Sequence, residues 1–288
     1  MTNLKQLIAA AFTHHWNQYE TDGQPVPASQ EQVADHLRVF GYQLNLDERS
    51  NQKRSDEQED FKQKTGMIPA RGLRFYDYQW ADASPEIKDW LLSQSDLPHG
   101  RYHLSKTTTQ IHSCSLDWYE DCQLIRITDA EWSNPKLSLY YLLNSKFEPF
   151  WLSGSSEPIH KLNAQAPIKL NQDNMLSYLI FFCFFVRGEE GVFYILESLD
   201  DPLLDALRDI PADNQSLVHT RTVIENTIFP IIFFGINEKG HYLYSGVIYY
   251  SNAIFVANFA VHLTGMVAML DDEPLAADLP FRIEAPLK

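Results

Sequence analysis

Three cysteines, Cys114, Cys122 and Cys183, are all the thiols in 288 residues. An odd number at irregular spacing excludes a disulfide framework and fits a reducing compartment. Basic residues are also scarce: 23 Lys and Arg stand against 38 Asp and Glu, a net charge of −15. Binding nucleic acid takes clustered Lys and Arg to neutralise phosphates, so no nucleic-acid partner is expected. An anionic membrane surface is disfavoured for the same reason. Long apolar runs are missing too. The longest, Leu176–Val186, is broken by Ser177 and falls well short of the roughly 20 residues of a bilayer span. The N-terminal stretch Met1-Thr-Asn-Leu-Lys-Gln-Leu-Ile opens a patterned helix, with neither an apolar signal segment nor a small-residue cleavage site. The expected location is cytoplasmic.

Catalytic signatures are equally sparse. There is no Gly-x-Ser-x-Gly nucleophile elbow; Leu152-Ser153-Gly154-Ser155-Ser156 lacks its first glycine. A Walker A sequence and a Gly-x-Gly-x-x-Gly dinucleotide turn are both absent.

What is abundant is aromatic and aliphatic side chain. The chain is 44% hydrophobic, with 17 Phe, 14 Tyr and 6 Trp, enough for a sizeable core and too much for wholesale disorder. Leu4, Leu7, Ile8, Ala11, Phe12, His15 and Trp16 recur at helical spacing. After the break at Gly23–Pro27, Ser29 and Gln32 form a capping box for a second helix carrying Val33, Leu37 and Phe40. Asp47–Lys64 then holds five basic and six acidic residues and one large apolar side chain, Phe61. It reads as a linker or solvated segment. The expected organisation is an N-terminal helical hairpin with a charged linker over 1–65 and a main α+β domain over 66–288.

Ser84-Pro85 predicts a helix start with Ile87, Trp90 and Leu91 facing the core. Gln110–Cys114 and Gln123–Ile127 predict strands, and Leu137–Leu143 with Phe147–Leu152 a hairpin around Asn144-Ser145-Lys146. Ser155 or Ser156 caps a short helix to about Leu162, and Asn171 caps an all-round apolar helix over Met175–Val186. Ile228–Phe234, His241–Tyr250 and Ala253–Met269 are rich in aromatic and β-branched residues, as strands are. Their short connections require antiparallel pairing. The expected fold is therefore α+β: a mostly antiparallel sheet centred on this C-terminal meander, packed by the 171–186 helix, with the helical hairpin attached.

Two constellations carry chemistry. His99, His103, His112, Cys114 and Cys122 concentrate nitrogen and sulfur donors within 24 residues, which zinc would take as a tetrahedral set, although the spacing matches no standard zinc module. No cofactor is expected, zinc being the one the sequence raises. The second is a metal-independent acid–base group. Glu157 and His160 lie three apart near a helix start, beside a flexible Ser-Gly-Ser-Ser stretch, and Arg187 and Glu190 end the apolar helix at a Gly-flanked turn. A carboxylate that orients a histidine makes a general base, and an arginine binds an anionic substrate group. Against both stands the ordinary reading: Glu157 suits a helix N-terminus by dipole complementarity, and Arg187 suits a helix end. Tyr242, Tyr244, Tyr249, Tyr250, Phe255 and Phe259 would line an apolar pocket or fill the core. The leading expectation is a non-catalytic interaction or binding protein whose acidic surface meets a basic protein partner. An enzyme acting on a small polar substrate and a zinc-stabilised domain are the alternatives.

Overall fold

Serine before proline starts a helix because the serine oxygen accepts an early N–H and proline has none to lose. At Ser84-Pro85 this holds: the Ser84 hydroxyl accepts from the Ile87 N–H at 3.4 Å, and helix α1 runs over Pro85–Ser93. The structure is a computed structural model that describes residues 66–69, 79–94, 102–132, 137–166, 168–188, 191–198, 200–201, 203–204, 218, 222, 224–226, 228–279 and 281–284. The helical hairpin and charged linker expected over 1–65 lie outside the described residues. Further helices among the described residues are α2 (Glu157–Gln165) and α3 (Met175–Phe185). The strands, in chain order, are β1 (Gly66–Pro69), β2 (Ala81–Asp82), β3 (Thr109–Ser115), β4 (Cys122–Asp129), β5 (Leu139–Asn144), β6 (Pro149–Trp151), β7 (Arg187–Gly188), β8 (Gly191–Val192), β9 (Tyr194–Leu196), β10 (Ile232–Ile236), β11 (Tyr242–Tyr250), β12 (Ala253–Val261), β13 (Val267–Ala276) and β14 (Phe281–Glu284). Mostly antiparallel sheets with few helices place the protein in the broad α+β class.

Two compact units emerge. The first is built on Met67–Ile195 with Val261–Val267. Its sheet runs β2-β3-β4-β5-β6, each neighbour antiparallel. Register decides the faces, because cross-strand partners point the same way. Ser113 pairs with Ile125, which pairs with Tyr141; Ile111 pairs with Ile127, which pairs with Leu139. This face forms one cluster with Ala83, Ile87 and Leu91 at the α1 end of the unit. The opposite face carries Asp82, His112 and Cys114, then Leu124 and Arg126, then Tyr140 and Leu142. Rings of α3 cover part of it: Phe185 meets Tyr140 at 5.1 Å between centroids. Trp118, in the turn between β3 and β4, packs on Tyr178 and Phe181 at 5.5 and 5.4 Å. Ten of the eleven α3 side chains are buried, Leu176 being half-buried, as the all-round apolar pattern requires.

Asn171 caps differently from the expectation. Its side-chain oxygen accepts from the Asp173 N–H at 2.8 Å and the Asn174 N–H at 3.3 Å, closing a turn just ahead of α3, and Asn174 takes the cap position.

The second unit is built on Leu196–Ala260 and Ala268–Arg282, and its sheet runs in the order β10-β11-β12-β13. β10 and β11 are antiparallel with a bulge at Phe233/Gly235. One expectation is corrected here. Ala253–Met269 is not a single strand; it breaks into β12 and β13 at His262–Met266. The His262 carbonyl accepts from the Gly265 N–H at 2.9 Å, and the Met266 carbonyl from the His262 N–H at 2.8 Å.

Candidate functional site

β6 ends at Trp151, and the chain turns through Leu152–Ser156 into α2. The Leu152 N–H donates to the Tyr140 carbonyl at 3.0 Å, tying this loop to β5. Gly154 has φ +105°, a left-handed conformation that glycine tolerates. A Cβ built there would lie 3.3 Å from Arg187 Cδ, so the arginine stem rests on the glycine backbone. The Gly154 carbonyl also accepts from the Arg187 N–H at 2.8 Å. Arg187 is thus held against Gly154 of the loop before α2. Burial lowers its pKa to about 10, while Tyr140 pulls it the other way.

Glu157 and His160 take other partners. The Glu157 carboxylate accepts from Lys161 Nζ at 2.7 Å, one helical turn on, and Lys161 holds its pKa below the usual range through that hydrogen bond and its charge. The His160 ring lies 5.9 Å from the Phe182 ring of α3. Glu190 lies outside the described residues.

The donor cluster divides as follows. His99 lies outside the described residues, and His103 is exposed, with its carbonyl accepting from Trp132 Nε1 at 3.0 Å. His112 and Cys114 alternate on β3, and Cys122 shares their face through Leu124 on β4. His112 Nε2 is 3.8 Å from Asp82 Oδ1. Both thiols are buried. Burial raises Cys114 to about 12 against the pull of Arg126, and burial with the charge of Asp121 raises Cys122 to about 11. Among the described residues, no three His, Cys, Asp or Glu side chains gather as a metal-binding group. The C-terminal aromatics divide by depth. Tyr244, Tyr249 and Phe259 are buried, while Phe233 stacks on Tyr242 at 5.9 Å on a more open part of the sheet.

Three residues that sequence patterns did not single out lie on the same sheet face. The Arg126 guanidinium sits 4.4 Å over the Trp80 ring. Tyr140, directly across from Arg126 on β5, lies 6.3 Å from Trp80 between centroids and is 4% exposed. One signal pointed to Arg126: it is the single charge inside the apolar run Leu124–Ile127.

A second polar group stands in the same unit. Tyr119 donates to Asn163 Oδ1, and Tyr178 donates to the Gly265 carbonyl at 2.6 Å. Asn163 Nδ2 reaches the Thr264 carbonyl at 3.4 Å. Burial pushes both tyrosine hydroxyls well above the usual range, so they stay neutral donors.

No helix among the described residues is long and apolar enough to cross a membrane. No family model matches this chain, and comparisons with curated proteins and with solved structures find no match.

Proposed function

We propose that the protein is a non-catalytic cytoplasmic binding protein whose acidic surface receives a basic protein partner. The distribution of charge carries this reading. Residues 187–288 hold 6 basic and 15 acidic side chains, a net of −9 out of the −15 for the whole chain. Part of that charge lies on β13, the last strand in its sheet order, where Asp271, Asp272 and Glu273 follow one another and Asp272 is exposed. Asp271 is oriented by Asn258 Nδ2 from β12. Exposed Asp278 follows the strand. An end strand lined with carboxylates is protected from edge-to-edge pairing with another sheet, and it attracts Lys- and Arg-rich surfaces over a Debye length. The pairing of Glu157 with Lys161 supports the same reading, because it engages the carboxylate that a His160 base would use as its orienter.

The test is the affinity of the full chain for a basic protein partner as ionic strength changes. Affinity falling at least tenfold between low and physiological salt is the expected result. Binding insensitive to salt contradicts the proposal.

A further inference from the structure

We propose that two copies of this chain associate through the β10 end of the β10–β13 sheet, each burying Phe233, Ile236 and Tyr242 against the other. The face lies in the unit built on Leu196–Ala260 and does not rest on the acidic-surface reading.

A bulge builds the face. Residues three apart on a regular strand point to opposite sides. Phe233 pairs with Tyr244, the register then shifts between Phe233 and Gly235, and Ile236 pairs with Tyr242. Tyr242 and Tyr244 are two apart and share a side, so the extra residue brings Ile236 round to the side of Phe233. The side chains gathered there meet solvent. Phe233 is 37% exposed and Ile236 53% exposed, and the half-buried Tyr242 stacks on Phe233 at 5.9 Å between centroids. Aromatic and aliphatic side chains grouped on one open face are what a protein contact buries at its centre.

Charge identifies the occupant. Residues 226–270 contain Glu238 and Lys239 and no other Asp, Glu, Lys or Arg. These two cancel, so the net charge of −15 lies entirely outside this stretch. Two chains so acidic repel each other, and the surface they can share is a neutral one. A two-fold contact sets a patch against its own copy, which an apolar face satisfies and a face of one charge does not. The strand order places β10 and the carboxylate-bearing β13 at opposite ends. Three strand spacings separate them, roughly 14 Å, more than the Debye length of about 8 Å at physiological salt. Contact at β10 therefore spares the two copies the repulsion of their β13 strands. A basic partner finds no attraction on this neutral face.

The experiment measures the mass of the full chain, with nothing added, by sedimentation equilibrium. Concentration runs from about 1 to 100 µM, at about 50 and 300 mM salt. A reversible monomer–dimer equilibrium is expected, at least as tight at the higher salt because screening relieves the repulsion between acidic copies. A basic partner gives the opposite salt response, so this proposal and the acidic-surface reading fail separately. I236E and I236K each set like charges against each other across the two-fold contact and are expected to weaken the dimer at least tenfold. An equimolar mixture of the two is expected to restore it, which variants that failed to fold could not do. A chain that stays monomeric at the highest concentration overturns the proposal and leaves the face to a different protein. A mass beyond two chains, a dimer that loosens with salt, a dimer that both variants leave intact, or a mixture that stays monomeric also overturns it.

Discussion

Gly265 has φ +81°, and a Cβ built on it would lie 2.3 Å from Asn163 Nδ2 and 2.7 Å from Tyr178 Oη. Both the backbone conformation and the space exclude a side chain. Gly265→Ala is expected to cost about 2–3 kcal/mol, read as a lower urea midpoint; a loss within about 0.5 kcal/mol would contradict the packing described. Asp129 gives a pH-dependent case. Burial pushes its carboxyl up, but hydrogen bonds from Thr109, the Glu131 N–H and Thr108, helped by the charge of His103, bring it below its ordinary 3.8. A depressed folded pKa contributes stability above the unfolded value, and the contribution is lost as pH falls through the folded one. Asp129→Asn should remove that part of the acid limb, below about pH 4, and cost about 1 kcal/mol at neutral pH. Parallel stability profiles for the two proteins between about pH 2 and 5 would disprove this. The thiols provide a third test. Cys114, Cys122 and Cys183 are all buried with raised pKa values. An aromatic disulfide reagent at pH 8 should label none of them in the native chain and all three in denaturant. Fast native labelling of any one would show an open, reactive thiol.

At the scale of elements, the sequence was most readable where local chemistry decides alone. Ser84-Pro85 marked α1 to the residue, and the eleven-residue apolar run marked α3. The hairpin of β5 and β6 around Asn144 was equally plain, since the Asn144 side-chain oxygen accepts from the Lys146 and Glu148 N–H groups. The turn between β12 and β13 was not readable. Its residues His262-Leu-Thr-Gly-Met contain one glycine and no proline, aspartate or asparagine, and apolar residues flank it on both sides. Beside its local backbone bonds, tertiary bonds hold it, from Tyr178 to the Gly265 carbonyl and from Asn163 to the Thr264 carbonyl. No local pattern announces a turn whose partners lie 87 and 101 residues away. α3 gives the energetic prediction. Phe185 is fully buried and meets Phe181, Phe184 and Tyr140 at 4.8, 5.1 and 5.1 Å. Phe185→Ala should cost about 3–5 kcal/mol, measured by denaturant unfolding, and a loss below about 1 kcal/mol would mean that α3 is not packed as described.

Across the whole molecule, composition was informative about class and uninformative about the site. The charge imbalance and the aromatic content are visible without coordinates, and so is the antiparallel habit imposed by short connections. Which polar groups meet is a matter of register. Arg126 and Tyr140 are fourteen positions apart and become neighbours through one strand pairing. Glu157 and His160 look paired at a spacing of three, yet Lys161 at a spacing of four takes the carboxylate. In the proposed function, acidic charge is the means of recognition. The most direct test is a titration of the full chain with a fluorescent lysine-rich peptide at about 50 and 300 mM salt. Saturable binding that weakens at least tenfold at the higher salt is the predicted result; binding of equal strength at both, or no binding at either, would contradict it.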